Sequence, residues 1–186
     1  AIVLGGSGLI GSEICLGLSQ LGCKVINLDI SRSKKLLKIN NVEFTKYNLK
    51  NINQSEKNLK KILKRLGSPN IFVNCSYPRT KSWSQSSFSK VNLKSIQENV
   101  NIHMNSSIWL AKIIAEDMKK NKIAGSIIQF GSTYGVVGQN LNIYKGTNIK
   151  ENVTYSAIKG GIINNSRLMA SYYGKYNIRV NSVCPG

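Results

Sequence analysis

The sequence has few of the residues that bind metal ions or form disulfides. Its 186 residues include one histidine, His103, and four cysteines, none of them in C-x-x-C spacing. Protein zinc sites need about four cysteine, histidine or carboxylate ligands at characteristic spacings. We therefore predict no metal site. Cys15 and Cys184 stand in apolar surroundings, so we expect reduced thiols in the core and a cytoplasmic location.

The sequence also lacks long hydrophobic runs. No apolar stretch approaches the roughly 20 residues that cross a bilayer, and no signal peptide is visible. We therefore predict no membrane partner. The chain begins at Ala1, inside an apolar run, and ends at Pro185-Gly186, directly after a predicted strand. From this we expect one domain, residues 1–186, that is truncated at both ends.

Acidic residues are scarce: eight stand against 26 lysines and arginines, which gives a formal net charge of +18. Such a charge raises the possibility of nucleic-acid binding. The lysines, however, occur in every predicted helix, and in the densest region, residues 33–61, apolar residues recur among them at helical spacing. That pattern is typical of solvated helix faces. Since no interleaved aromatic residues or zinc-finger spacing accompany the lysines, we predict no nucleic-acid partner.

A glycine-rich turn follows the first predicted strand. Residues 1–4 are apolar, Gly5, Gly8 and Gly11 come next, and an amphipathic helix is predicted over residues 12–21. Glycines allow the backbone to approach a pyrophosphate closely, and the helix N-terminus supplies free N–H groups. The order strand, glycine turn, helix therefore predicts a dinucleotide-binding site.

A second predicted strand, residues 24–29, ends in the carboxylate of Asp29. An acid at this distance from the turn can accept hydrogen bonds from the adenosine ribose hydroxyls, and it would repel a 2′-phosphate. This favours NAD over NADP as cofactor. Arg32 lies close in sequence and weakens that preference.

Predicted strands and helices alternate along the rest of the chain. Buried-type strands are expected at residues 42–47, 71–74, 126–130 and 178–183, with helices at about 54–66, 91–120 and 155–173. Such alternation predicts an α/β fold with a parallel, doubly wound sheet and helices on both faces. In such sheets ligands bind at the carboxyl ends of strands, which is where Asn74 stands. The loop 76–83 is either part of a substrate mouth or a plain surface turn.

Tyr155 and Lys159 form a Tyr-x-x-x-Lys pair in the last predicted helix. Residues four apart lie on the same helix face, so the phenol and the ammonium can reach one cleft. A nearby positive charge lowers a tyrosine's pKa from about 10. The pair can therefore act as an acid/base on an alcohol or carbonyl oxygen.

These residues together resemble the short-chain dehydrogenase/reductase family in its compact, single-domain form. The resemblance runs over the whole chain, through the glycine turn, Asp29, Asn74, Ser132, the Tyr-x-x-x-Lys pair and the closing segment 181–186. It implies a Rossmann-like fold, an NAD-dependent oxidoreductase and a dimer or tetramer. It also implies that a final strand and a substrate-covering segment are missing after Gly186.

The resemblance also implies roles for individual residues. Tyr155 is the expected acid/base, Lys159 binds the nicotinamide ribose and lowers the phenol's pKa, and Ser132 binds the substrate oxygen. The remaining cofactor-binding positions implied are Gly5, Ser7, Gly8, Leu9, Ile10, Gly11, Asp29, Asn48, Leu49, Asn74, Pro185 and Gly186.

Four positions depart from the family's pattern. Leu4 stands where threonine is common, and the spacing G-x-x-G-x-x-G is nearer to the extended, sugar-nucleotide branch. The segment 74–77 replaces the usual Asn-Asn-Ala-Gly. The family's catalytic asparagine on the long helix corresponds either to Asn101 or, counting back from Met118, to His103.

The substrate is the least defined feature. The long loop 135–154 and the segments around Tyr77 and Tyr134 are similar to dehydrogenases from bacterial surface-polysaccharide and flagellin-modification gene clusters. This implies a small-molecule substrate, namely a sugar or sugar phosphate. Two alternatives remain: a sugar-nucleotide epimerase or dehydratase, and a non-catalytic dinucleotide-binding module.

Overall fold

A computed structural model describes all 186 residues, and it contains a single six-stranded sheet. The strands are β1 (Ile2–Leu4), β2 (Val25–Asp29), β3 (Val42–Lys46), β4 (Ile71–Asn74), β5 (Gly125–Phe130) and β6 (Ile178–Val183). They are all parallel and lie in the order β3-β2-β1-β4-β5-β6. The doubly wound parallel sheet predicted from the alternation of elements is confirmed.

Five α-helices connect the strands: α1 (Leu9–Gln20), α2 (Ile52–Leu66), α3 (Leu93–Asn99), α4 (Ser106–Lys120) and α5 (Val153–Tyr173). No helix is both long and apolar enough to span a lipid bilayer. The lysines of α2 point outwards, while Leu59, Ile62 and Leu63 are buried against the sheet. The lysine-rich segment thus forms the solvated amphipathic helix that its spacing predicts.

The sheet's two faces are covered unequally. Side chains alternate across a strand, so Ile2 and Leu4 of β1 join a cluster of 21 buried residues beneath α2, α4 and α5. Val3 points to the opposite face and joins a cluster of five buried residues against α1, which includes Cys15. The predicted buried position of Cys15 is confirmed, whereas Cys184 is only half-buried.

The helix predicted over residues 91–120 is interrupted. A π-helical turn, Val100–Asn105, joins α3 to α4. A π-turn accommodates an extra residue and changes which side chains face the protein, and such turns are frequent at functional sites. Here His103 faces inwards and is buried, while Asn101 is exposed to solvent.

Candidate active site

The glycine turn between β1 and α1 forms one wall of a groove of about 850 Å³. Gly5 has φ +76°, which favours glycine, and a Cβ there would lie 2.8 Å from the backbone of Ser76. A Cβ on Gly11 would lie 2.1 Å from the carbonyl oxygen of Gly5. The turn therefore requires glycine at both positions. Gly8 precedes the first residue of α1, so the unpaired N–H groups of the helix's first turn lie in the same groove.

Polar side chains beneath the turn hold it in place. Asp29, at the end of β2, accepts hydrogen bonds from the N–H of Ser7 (2.9 Å) and of Ile30 (2.7 Å). The buried Asn27 donates to the Ser7 hydroxyl (3.0 Å). We did not predict a role for Asn27, although an asparagine inside the otherwise apolar segment Val25–Leu28 was a visible signal.

The groove collects most of the residues predicted to bind a cofactor. Its lining includes the predicted residues Gly5, Gly8, Leu9, Ile10, Gly11, Asp29, Asn48 and Leu49. On its other side lie residues 75–79, which follow β4. A deep groove with free helix N–H groups at one end and a carboxylate at the end of β2 fits a dinucleotide.

Asn74 is placed differently from the other predicted cofactor residues. It is buried, and its amide donates to Gln129 Oε1 (2.9 Å) and accepts from the Ser76 N–H (3.1 Å) and hydroxyl (2.6 Å). The Asn74 side chain thus links β4 to β5 by a hydrogen bond and fixes the position of the first residues of the loop 75–79. It shapes the groove's wall and does not form part of its lining.

Lys159 is buried beside the end of β5. Its side chain is 4% exposed, and its ammonium donates a hydrogen bond to the carbonyl oxygen of Phe130 (2.7 Å). Burial lowers the lysine's pKa to about 8, against smaller opposing contributions from Cys184 and Cys75. At neutral pH the ammonium is therefore still largely charged, and it lies 5.7 Å from the centre of the Tyr155 ring.

Tyr155 lies in the first turn of α5. The side chain of Asn152 caps this helix by accepting a hydrogen bond from the Tyr155 N–H (2.9 Å), which fixes where the helix begins. Ser132 is buried two residues beyond β5, and its hydroxyl oxygen accepts a hydrogen bond from the Tyr134 N–H (3.2 Å). The Ser132 hydroxyl proton remains available for donation.

The segment after Ser132 packs directly on the helix that carries Tyr155 and Lys159. A Cβ on Gly135 would lie 2.7 Å from the backbone of Lys159, so only glycine permits this approach. The N–H of Thr133 donates a hydrogen bond to the carbonyl oxygen of Pro185 (3.1 Å), which follows β6. This bond places the segment Pro185-Gly186 beside the Ser132 loop. The predicted residues 132, 155, 159 and 185–186 thus converge at the carboxyl edge of the sheet.

Four aromatic rings gather at this edge. Tyr77 contacts Tyr155 (ring centres 6.0 Å apart), His103 (5.2 Å) and Trp83 (5.5 Å), each edge to face. Neither ring nitrogen of His103 has a hydrogen-bond partner, and burial, followed by the charge of Lys159, lowers its pKa to about 3. The imidazole is therefore neutral. Of the two candidates on the long helix, His103 faces the rings, and Asn101 does not.

The loop 76–83 lies beside this cluster and contributes Tyr77 and Trp83 to it. That the loop forms a substrate mouth stays a prediction. Tyr77 belongs both to the aromatic cluster and to the groove lining. At position 77 the usual Asn-Asn-Ala-Gly pattern has a glycine, whereas the tyrosine of this chain places a ring next to the Tyr155–Lys159 pair. The significance of the π-helical turn was missed, because helical periodicity does not distinguish a π-turn from an α-turn.

Comparison with known proteins agrees with this architecture. The short chain dehydrogenase family model matches residues 1–186. Post-translational flagellin modification protein A of Campylobacter coli is 31% identical over 115 residues, which is 62% of this chain and 44% of that protein. L-xylulose reductase of Caenorhabditis elegans is 23% identical over 184 residues, 99% of this chain and 69% of the reductase.

A solved structure is similar over the whole chain. The short chain dehydrogenase of Leptospira borgpetersenii with bound NAD+ superposes with a TM-score of 0.86 at 27% identity, covering 100% of this chain and 69% of that one. The chain thus spans less than half of the flagellin relative and about seven-tenths of the other two proteins. The match of the family model over every residue, with the fold and the strand-end site that accompany it, shows that the chain belongs to the short-chain dehydrogenase family.

Proposed function

We propose that the protein is an NAD(H)-dependent oxidoreductase that interconverts a secondary alcohol and a ketone. The observation that carries this proposal is the placement of Lys159: a buried ammonium, anchored on the Phe130 carbonyl, beside the Tyr155 ring and at the same strand end as Ser132. Burying a cation costs free energy that pairing only partly offsets, so a buried lysine with few partners is more typical of a functional site than of a structural core. One carbonyl is its only hydrogen-bond partner here.

In the proposed mechanism Tyr155 transfers the proton. The Tyr155 phenol gives a proton to the carbonyl oxygen in the reduction, and its phenolate takes a proton from the alcohol in the oxidation, with the Lys159 ammonium 5.7 Å from the ring centre. The Ser132 hydroxyl donates a hydrogen bond to the same oxygen, since its own oxygen already accepts from Tyr134. The two hydroxyls together stabilise the developing oxyanion. The nicotinamide, when bound, supplies or accepts the hydride.

His103 is proposed as the fourth residue of the catalytic set. It stands against the Tyr77 ring with both ring nitrogens unpaired, and of the two candidates for the family's asparagine it is the one that faces the site. Because it is neutral above about pH 3, it offers one N–H donor and one nitrogen acceptor at every working pH.

We propose NAD as the cofactor, with Asp29 as the selecting residue. Asp29 lines the groove, and a carboxylate there disfavours a 2′-phosphate. Arg32, whose closeness in sequence weakened this preference, packs instead over the ring of Phe44 on β3 (5.2 Å) and lines a separate surface depression. It does not line the groove that Asp29 lines.

For the substrate we propose a sugar or a sugar phosphate. Tyr77 and Trp83 offer ring faces beside Tyr155, and the loop after Ser132 carries Asn140, Asn142, Tyr144 and Lys145. Tyr144 is tied back to the site by a hydrogen bond between its hydroxyl and that of Tyr134 (2.5 Å). Flagellin modification and xylulose reduction, named for two relatives, are consistent with carbohydrate chemistry.

The first test is a fluorescence titration of the purified protein with NADH and NADPH. We expect saturable binding that is tighter for NADH, and in Asp29→Ala a preference for NADH that is reduced about tenfold or more. Asp29→Asn keeps an acceptor for the Ser7 N–H, so it separates loss of charge from loss of the turn's support. Glu98→Ala, which removes an exposed acid that does not line the groove, serves as control. Absence of binding to both dinucleotides would refute the proposal.

A substrate screen over sugars and sugar phosphates completes the test. Cofactor oxidation or reduction coupled to the substrate identifies an oxidoreductase. Product with no net change in the cofactor identifies the epimerase alternative, and dinucleotide binding without turnover of any substrate identifies the non-catalytic module.

A further inference from the structure

Arg79 is a cation without an acidic partner at the edge of the cofactor groove. It is exposed, it lines the groove opposite the glycine turn, and it takes part in none of the protein's four ion pairs. The sequence places no acidic residue between positions 57 and 97. The only carboxylate in the groove, that of Asp29, already accepts two backbone hydrogen bonds. Arg79 therefore has no anion within the protein.

The loop that carries Arg79 is anchored on both sides. Before it, Ser76 is bound to the buried amide of Asn74. After it, Thr80 donates from its N–H (3.2 Å) and its hydroxyl (2.9 Å) to the buried Asn99 at the end of α3. Pro78 further restricts the backbone in between. The backbone at Arg79 is therefore already ordered, so binding a ligand there costs little backbone entropy.

The guanidinium is also held in place by an aromatic ring. Its central carbon lies 5.4 Å from the centre of the Tyr77 ring. A planar guanidinium stacked on a ring keeps its N–H donors free at its edge, and this fork matches the oxygens of a phosphate. Across the groove, the N-terminus of the 12-residue helix α1 presents unpaired N–H groups, and its first turn has no acidic residue.

We propose that Arg79 is a phosphate-binding residue that closes over a phosphate held at the N-terminus of α1. This inference rests on the proposed function, because the phosphate present in that groove would be the pyrophosphate of the dinucleotide. The same guanidinium could take the phosphate of a substrate, since Tyr77 belongs to both the groove and the aromatic cluster.

The test compares Arg79→Gln with Lys81→Gln. Lys81 is an exposed cation on the same loop that does not line the groove, so the pair is matched in net charge. Isothermal titration calorimetry measures the binding of NADH, ADP-ribose and adenosine to the free protein, and of inorganic phosphate to the NADH-saturated protein. Melting temperatures of both variants show whether folding is unchanged.

We expect Arg79→Gln to raise the Kd of NADH and ADP-ribose about tenfold, as for loss of a charge-assisted hydrogen bond, and to leave adenosine unaffected. Affinity for ADP-ribose should also depend less on salt in this variant. Arg79→Lys keeps the positive charge but loses the paired N–H donors of the guanidinium, so its Kd values for NADH and ADP-ribose should lie between those of the wild type and Arg79→Gln. Lys81→Gln should bind all these ligands with the Kd values of the wild type.

The other outcomes are equally decisive. If only the binding of inorganic phosphate to the NADH complex is weakened, the residue takes a substrate phosphate. If none of the phosphate-containing probes is affected, or if adenosine weakens equally, the inference is wrong while the proposed function stands. If the wild type binds neither NADH nor ADP-ribose, the proposed function and this inference fail together.

Discussion

The two ends of the site differ in which parts of the chain form them. The cofactor groove is formed mainly by backbone: glycines at 5, 8 and 11, the free N–H groups of α1, and a single carboxylate. The proposed catalytic end is formed by side chains from the loops after β4 and β5, from the π-helical turn and from α5, and two titratable groups, Lys159 and His103, are buried there. The groove is therefore sensitive to steric change, and the catalytic end to loss of a functional group and to pH.

The largest effect is expected from a substitution that removes one hydroxyl at the catalytic end. Tyr155→Phe should reduce kcat/KM about 10²–10⁴-fold, because the proton donor and acceptor is lost. The Kd of NADH should stay within about twofold, since the ring and Lys159 remain. Steady-state assays and NADH titration measure the two values, with Tyr172→Phe on the exposed end of α5 as control. Full activity in Tyr155→Phe would refute the mechanism.

The second prediction concerns the neutral imidazole of His103. Its pKa is about 6.5 in the unfolded chain and about 3 in the folded protein, so between these values the unfolded state binds the additional proton. The free energy of unfolding should therefore fall as pH falls through this window, by about 3 kcal/mol at pH 4 from this group alone.

Urea denaturation of the wild type and His103→Asn at pH 7 and pH 4 measures this contribution. Asparagine does not titrate, so the variant should lose about 3 kcal/mol less on acidification. Parallel pH dependence of the two proteins would show that His103 is protonated in the folded state.

Steric change at the groove comes third. Gly11→Ala places a Cβ against the Gly5 carbonyl, a backbone atom that cannot move without opening the turn. We expect a loss of about 1–3 kcal/mol in stability together with at least tenfold weaker NADH binding. Thermal unfolding and NADH titration measure both values, and wild-type affinity in this variant would show that the turn is not part of the cofactor site.

The fourth prediction is an alkaline weakening of cofactor binding. Lys159 is charged below pH 8 and loses its proton as pH rises through about 8. Its charge-assisted hydrogen bond to a bound ribose is therefore weakened above this pH. The Kd of NADH should rise a few-fold between pH 7 and 9.5. In Lys159→Met the Kd should be higher at pH 7 and nearly independent of pH over this range.

The smallest expected effect comes from a glycine outside the groove. Gly17 lies on α1, and a Cβ there meets no atom within 4 Å. Gly17→Ala should therefore stabilise the protein by about 0.5–1 kcal/mol through helix propensity, with NADH binding unchanged. Compared with Gly11→Ala, it separates the glycines that the groove requires from those that it does not.

Much of the groove was predictable because its parts are close together in the sequence. The order strand, glycine turn, helix and acid occupies residues 1–29, and each part has a local physical reason. The positions of Gly5, Gly11 and Asp29 follow from that order. What local reasoning could not supply was the support beneath the turn by Asn27, which depends on the pairing of β1 with β2.

The catalytic end was predictable in part. Helical spacing placed Tyr155 and Lys159 on one face, but it could not show that the lysine would be buried against the Phe130 carbonyl. The choice between Asn101 and His103 required the π-helical turn, since one additional residue in a turn changes which side chain faces inwards. The contacts of Tyr77 with three other rings likewise join residues that are up to 78 positions apart.

The sequence by itself determined the parallel α/β architecture, the glycine turn and the placement of Tyr155 and Lys159 on one helix face, because these depend on periodicities and spacings within single elements. Only the tertiary structure decided which polar groups are buried without partners, where Arg32 and Arg79 point, and which residue of the long helix faces the site. Burial and charge environment are set by segments distant in sequence, so no local pattern carries them.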